Sequence, residues 1–111
     1  LFSRVLMSQF TVYENKDKGT KKTYPYFLNV QNDLLDELNS RVVIPFSTPG
    51  SIKHRDAKKL CPIIKIKGIG FVLLTHQITT VPESYLSSKV DEVDAFRTEI
   101  ISAIDLLFTG I

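Results

Sequence analysis

The chain has 111 residues, of which 43% are apolar, and its 14 basic and 12 acidic residues give a net charge of +2. This length and composition predict one globular domain with an ordinary small core. The nearly balanced charge argues against a protein that binds nucleic acid through a strongly basic surface. The single cysteine, Cys61, excludes an internal disulfide and fits a reducing compartment.

The beginning of the chain gives no sign of export. No apolar run approaches the roughly 18 to 20 residues of a membrane helix, and the stretch before Met7 is too short for a signal peptide. We therefore expect residues 1–6 to be upstream or cloning-derived sequence. Residues 7–111 are expected to form one domain in the cytoplasm.

Short β-rich runs alternate with turn signals from Gln9 to about Gln77. Pro45 is expected to cut the third run, and the Gly68–Gly70 turn joins the last two. The predicted strands cover residues 10–13, 24–31, 41–46, 62–67 and 71–75. About five antiparallel strands of this length predict a small, strongly bent sheet or barrel.

Two connections are rich in basic residues. The first, residues 14–23, is expected to be an exposed hairpin loop. The second, residues 47–59, is long for a passive connection and is therefore expected to carry binding. Aromatic residues are not interleaved with these lysines, so an acidic protein partner or a solvated surface fits them better than phosphates do.

The last quarter of the chain has helical periodicity, which predicts a helix from Ser88 to Ile111. Ser88 and Asp91 resemble a capping box, and acidic residues fill the predicted first turn. The apolar arc is wider than a five-stranded sheet can cover. Part of it is therefore expected at a subunit interface.

No constellation of residues indicates catalysis or metal binding. The Gly68–Gly70 pair lacks the third glycine and the following helix of a phosphate loop. His54 and His76 are 22 residues apart without a second ligand at metal spacing. No serine stands in a nucleophile elbow. We therefore expect no catalytic residue, no metal site and no cofactor.

Several short motifs recur together in an order that is specific although each is weak by itself. The chain resembles the CcdB family of plasmid and chromosomal toxins from Met7 or Ser8 to Ile111. The motifs are Gln9-Phe10-x-Val12-Tyr13, Val30-Gln31-x-Asp33-Leu34-Leu35-Asp36, Val43-Ile44-Pro45, Leu60-x-Pro62, Val81-Pro82 and Ala103-Ile104-x-Leu106-x-Phe108-x-Gly110-Ile111.

The resemblance implies a homodimer of SH3-like barrel subunits, each with a C-terminal helix, that poisons DNA gyrase. In that family the dimer binds the gyrase A subunit and traps the enzyme on cleaved DNA, without chemistry of its own. Such toxins serve plasmid maintenance and take part in autoregulation of transcription. An alternative is an endoribonuclease, because MazF-type toxins share this barrel and dimer.

The resemblance also implies the residues that contact gyrase. One departure stands out, because Thr109 occupies the position of the family's usual Trp, a residue that often dominates binding. Asn32 and Asp105 also differ from the family's commonest residues there. The implied gyrase-binding residues are Gln9, Phe10, Tyr13, Asn32, Leu34, Asp105, Thr109, Gly110 and Ile111.

The second implied partner is the antitoxin CcdA, whose disordered tail folds on the toxin. Such tails tend to be acidic and apolar, which gives the two basic loops a purpose. Operator DNA is contacted only through the antitoxin. The implied antitoxin-binding residues are Ile52, Lys53, His54, Arg55, Lys58 and Lys59.

Overall fold

The computed structural model describes residues 8–35, 37–50 and 58–110, so the first seven residues lie outside it. Short 3-10 turns connect several of the elements. The strands are β1 (Thr11–Glu14), β2 (Tyr26–Asn29), β3 (Ser40–Ser47), β4 (Ile63–Ile66), β5 (Ile69–Leu73), β6 (Thr79–Pro82) and β7 (Lys89–Glu92). They are followed by one helix, α1 (Arg97–Thr109).

The strands form one antiparallel sheet that curls into a nearly closed barrel. Its order is β4-β5-β3-β2-β1-β7, and β6 pairs with β3 beside β5. The two outer strands, β4 and β7, approach each other. The Lys67 N–H at the β4–β5 turn donates to Asp91 Oδ2 on β7 at 2.9 Å. The predicted mostly-β barrel with a C-terminal helix is confirmed. The described residues contain seven strands rather than about five.

The core lies inside the barrel and beneath the helix. Along β4 the buried Ile64 and Ile66 alternate with the exposed Ile63 and Lys65, as a strand with one wet face requires. The helix contributes Ile100 to the same core. The buried members are Phe10, Val12, Leu28, Ile44, Phe46, Ile64, Ile66, Leu73, Val93 and Ile100.

Strand β3 continues through Pro45, where the sequence predicted an interruption. The carbonyl of Pro45 accepts the Leu74 N–H at 2.9 Å. In a strand the nitrogen and carbonyl of one residue point to the same side, here the side where pairing changes from β6 to β5. The missing N–H of the proline therefore falls between the last residue paired with β6 and the first paired with β5.

The predicted helix start at Ser88 is wrong. Residues Lys89–Glu92 instead form β7, which pairs with β1, and the helix begins at Arg97 after a 3-10 turn at Asp94–Phe96. Hydrogen bonding to the edge of β1 stabilises these residues as a strand more than the weak capping sequence would stabilise them as a helix. The Asp91 carboxylate consequently accepts N–H groups of Lys67 and Glu92 rather than capping a helix.

The bridge made by Asp91 predicts an acid-sensitive contribution to stability. The N–H of Lys67, and then that of Glu92, hold the pKa of Asp91 below its ordinary value. Because the folded pKa is depressed, this stabilisation is present above the unfolded pKa and is lost as the pH falls through the folded pKa. Asp91→Asn is expected to lower the free energy of unfolding by on the order of 1 kcal/mol near neutral pH.

The difference between the two proteins should shrink below about pH 4, as measured by urea unfolding at several pH values. Asp94→Asn is the matched control, because Asp94 is an exposed acid of the neighbouring turn. An Asp91→Asn difference that is independent of pH would contradict the assignment.

Candidate functional site

Three of the residues implied in gyrase binding lie together beside the β2–β3 connection. The Gln9 N–H donates to Asp33 Oδ1 at 2.6 Å, and Gln9 Nε2 donates to the Val30 carbonyl at 3.0 Å. Asn32 Oδ1 accepts the Leu34 N–H at 2.8 Å. Gln9, Asn32 and Leu34 therefore belong to one surface.

This surface carries exposed leucines that the sequence interpretation only partly identified. Leu34 is 89% exposed, and Leu35 and Leu38 are each 50% exposed. We call Leu34, Leu35 and Leu38 the leucine knob. Leu35 and Leu38 were missed, although two adjacent leucines between acidic residues in a polar turn were a usable signal.

Phe10 and Tyr13 are placed differently from the other implied contacts. Their exposures are 2% and 6%, so their side chains are buried within the chain. Phe10 has a φ of 67° and lies 5.3 Å from the Arg97 guanidinium carbon, measured to its ring centroid. Phe10 belongs to the main core and Tyr13 packs with Val43 and Leu86, so neither offers its side chain to a partner in this conformation.

The remaining described residues of the implied gyrase site lie at the end of α1. Asp105, Thr109 and Gly110 are exposed, and Thr109 Oγ1 donates to the Asp105 carbonyl at 2.6 Å. Gly110 has a φ of 76° and its N–H donates to the Leu106 carbonyl at 3.0 Å. It therefore ends the helix in the left-handed conformation that glycine favours. Ile111 lies outside the described residues.

Helix α1 runs from a contact with Phe10 to the exposed end at Thr109. Arg97, which contacts Phe10, is in the first turn, and Thr109 is the last helical residue. Twelve residues separate them, which corresponds to about 18 Å along the helix axis. We call the surface of Gln9, Asn32 and Leu34 and the end of α1 with Asp105, Thr109 and Gly110 the two tips.

A third surface lies along the side of α1. The exposed Lys58 and Lys59 line a cavity of about 570 Å³ together with residues of the helix. The helical lining consists of Thr98, Glu99, Ser102 and Leu106. Ile52, Lys53, His54 and Arg55 lie outside the described residues, so only Lys58 and Lys59 of the implied antitoxin site can be placed.

The other basic loop is held in shape by one buried amide. Asn15 is 1% exposed, and its Nδ2 donates to Thr20 Oγ1 at 3.0 Å and to the Tyr24 carbonyl at 2.8 Å. Its Oδ1 accepts the Asp17 N–H at 2.9 Å. The lysines of this loop are exposed, as predicted.

One side-chain pair was not apparent in the sequence. Cys61 Sγ lies 3.5 Å from His76 Nδ1. Burial raises the pKa of the Cys61 thiol, partly offset by a hydrogen bond from the Thr75 backbone, so the thiol stays protonated and is a poor nucleophile. In the described part of the chain, no three His, Cys, Asp or Glu side chains are grouped to hold a metal ion. The same part holds no helix of the length and hydropathy needed to cross a membrane.

The different burial of Phe10 and Leu34 predicts different effects of their removal. Phe10→Ala is expected to lower the free energy of unfolding by about 3 to 5 kcal/mol, because it leaves a cavity in the core. Leu34→Ala, the matched surface control, should change it by less than about 0.5 kcal/mol. Urea unfolding followed by circular dichroism measures both. Equal effects would contradict the described placement.

Comparison with known proteins agrees with this architecture. Two solved structures of an endoribonuclease from mycobacterial species superpose with TM-scores of 0.71, one of them in complex with its cognate antitoxin. The complex is 18% identical over 91% of this chain and 93% of that one. The other is 17% identical over 93% and 91%, respectively. At such identities the likeness shows a shared fold.

The family comparison is more specific. The family model described as CcdB protein matches residues 9–110, nearly the whole chain. The match includes both tips and the cavity beside α1. The chain therefore belongs to the CcdB family, the toxins of toxin–antitoxin systems that its sequence resembles.

Proposed function

We propose that this toxin binds the A subunit of DNA gyrase and traps gyrase on cleaved DNA. The observation that carries the proposal is the family match over residues 9–110, since gyrase poisoning is what membership in the CcdB family implies. The proposed contacts are Gln9, Asn32, Leu34, Asp105, Thr109, Gly110 and Ile111; Phe10 and Tyr13, which the resemblance also implies, are buried and are left out. The toxin acts as an inhibitor and not as a catalyst.

The exposed apolar groups at both tips support this proposal. Leu34 is 89% exposed and Phe108 is 69% exposed, and large apolar side chains gain free energy when a partner covers them. Gly110 lacks a Cβ, and nothing lies within 4 Å of where one would stand, so a partner backbone can approach closely. Phe108, beside Thr109, supplies apolar area near the position of the family's Trp.

The proposal includes a homodimer. Each of the two tips of a single subunit exposes only a few apolar residues. Pairing two subunits through their helix ends would bring two C-termini into one surface that is large enough for a specific interface. The partly exposed Leu107 then has a reason to be apolar.

A second candidate function is endoribonuclease activity, which the fold likeness to the mycobacterial enzyme favours. At 18% identity that likeness supports a shared fold and does not support a shared reaction. The two functions are separable, because an endoribonuclease cleaves naked RNA without gyrase. Poisoning instead requires gyrase and DNA.

We also propose that an antitoxin neutralises this chain, and that operator DNA is reached only through the antitoxin. The cavity beside α1 offers two lysines on one wall and the side chain of Leu106 on another. An acidic, partly apolar segment would place carboxylates near Lys58 and Lys59 and an apolar side chain against Leu106. Ile52, Lys53, His54 and Arg55 complete the proposed antitoxin site.

Removal of the last two residues tests the gyrase proposal. A chain lacking Gly110 and Ile111 should fold normally and fail to trap cleaved DNA with purified gyrase, because it loses the close-approach glycine and the apolar tip. The wild-type chain should accumulate cleaved DNA in the same assay. Ile63→Ala, which removes an exposed apolar residue of β4, is the control.

Full trapping activity of the truncated chain would contradict the proposed C-terminal contacts. If the wild-type chain leaves gyrase unaffected and cleaves naked RNA, the endoribonuclease function replaces the proposal.

Charge reversal tests the antitoxin proposal. The double variant Lys58→Glu with Lys59→Glu is expected to bind the cognate antitoxin at least about tenfold more weakly, because two attractive contacts become repulsive. Lys65→Glu with Lys67→Glu makes the same change in net charge at exposed positions of β4 and its turn, outside both basic loops, and serves as the control. Isothermal titration at two salt concentrations measures both. Equal weakening by the two double variants would show that net charge, and not the cavity, governs binding.

A further inference from the structure

We infer that Gln31 and Arg41 are positioning residues that hold the leucine knob in the conformation in which it meets its partner. The inference rests on the proposed function, because Leu34 of the knob is one of the proposed gyrase contacts. Neither residue belongs to the proposed contact surface itself. Both are buried, at 7% and 1% exposure, and both direct side-chain donors at carbonyls of the knob.

Gln31 connects the knob to the central strand. Its Nε2 donates to the Leu35 carbonyl at 3.0 Å, and its Oε1 accepts the Val42 N–H of β3 at 3.1 Å. Its own N–H donates to Asn29 Oδ1 at 3.2 Å. One amide side chain therefore fixes the distance between Leu35 and β3.

Arg41 holds the other end of the knob. Its Nη1 donates to the carbonyls of Leu38 and Ser40, the latter at 3.0 Å. Its Nη2 lies 3.5 Å from Glu83 Oε2, in the turn that follows β6. A buried guanidinium is costly unless its donors are satisfied. Here part of that satisfaction comes from the backbone of a surface loop, not from the core.

The leucines of the knob receive little packing from the rest of the chain. Their exposure means that burial of their side chains does not fix the backbone on which they stand. Among the described residues of the turn, the Leu35 N–H donates to the Asn32 carbonyl at 2.9 Å, the Leu38 N–H donates to the Leu35 carbonyl at 3.1 Å, and the Leu34 N–H donates to Asn32 Oδ1. The Leu35 carbonyl thus accepts from both Leu38 and Gln31.

Ordering a loop on binding costs free energy that weakens the complex. A knob that is already held by Gln31 and Arg41 avoids most of this cost. The two residues therefore act on affinity through the shape of the knob and make no contact with the partner. Removal of one donor should loosen the knob and weaken binding together.

Gln31→Glu gives a test with a pH-dependent readout. The ionised carboxylate keeps the acceptor for the Val42 N–H but turns an oxygen, in place of a donor, toward the Leu35 carbonyl. The protonated carboxyl restores a donor, and burial beside a carbonyl raises the pKa of the introduced acid. The loss should therefore be present at about pH 8 and should diminish toward about pH 5.

Hydrogen exchange of the Leu38 amide measures the knob without any partner. At about pH 8 the variant's protection factor should fall about tenfold relative to wild type, the size expected for one buried hydrogen bond. The ratio should return toward one on acidification. The Leu73 amide, bonded to the Pro62 carbonyl in the barrel, is the internal reference and should keep its protection.

Gln77→Glu, on an exposed residue, is the matched control and should leave Leu38 unchanged at every pH. Unaltered Leu38 protection in Gln31→Glu, or a loss that does not respond to pH, would overturn the positioning role.

The affinity for the purified gyrase A subunit, measured as a ratio to wild type at each pH, should follow the same course. A loosened knob with unchanged gyrase affinity would overturn the link between positioning and binding. If wild type itself does not bind gyrase, the proposed function fails, and the exchange result still decides whether Gln31 holds the knob.

Discussion

Strand β3 is the constraint on which the rest of the structure depends. Its eight residues pair with three other strands, with β2 on one side and with β6 and then β5 on the other. A single strand can serve two partners on one side only if its pairing stops and restarts. Pro45 lies at that change, between the residues paired with β6 and those paired with β5. The sheet consequently bends around β3 and curls toward closure.

The surfaces of the molecule follow from this central strand. Arg41 near its start and Val42 beside it anchor the leucine knob through buried hydrogen bonds. On the far side of the sheet, β4 and β7 approach until the Asp91 carboxylate joins them, and α1 covers the core with Ile100 and Ala103. The direction of α1 then sets where Thr109 and Gly110 stand. Both proposed gyrase tips are thus positioned by pairings distant from them.

The sequence correctly predicted elements that a local residue pattern determines. The prediction failed where pairing with a distant strand determines the structure. The alternation of Ile64 and Ile66 with Lys65 identified β4, and the terminal apolar periodicity identified a helix. Ser88 to Glu92 resembled a helix start because capping signals are local, whereas the partner strand β1 is about 80 residues away and has no sequence signal. Strand β6 has only one partly buried residue, so its alternation was too weak to recognise.

The candidate site was likewise only partly predictable from the sequence. The family resemblance supplied Gln9, Asn32, Leu34 and the C-terminal residues, and the structure describes those before Ile111 as accessible. The resemblance could not show that Phe10 is buried. The φ of 67° at Phe10, just before β1, turns its side chain toward the core and Arg97. The sequence also could not pair Cys61 with His76. Strands β4 and β5 lie between them in the chain, and only the folded sheet brings the two side chains together.

Leu106 links the two proposed partners. Its side chain lines the cavity beside Lys58 and Lys59, and its carbonyl accepts the N–H of Gly110. Thr109 lies three residues further along, about 4.5 Å by helical rise. Under the proposed function, an antitoxin segment in the cavity would therefore reach within one turn of the gyrase tip. Neutralisation then requires no change in the toxin's fold, because two partners of ordinary size cannot occupy neighbouring turns of one short helix at the same time.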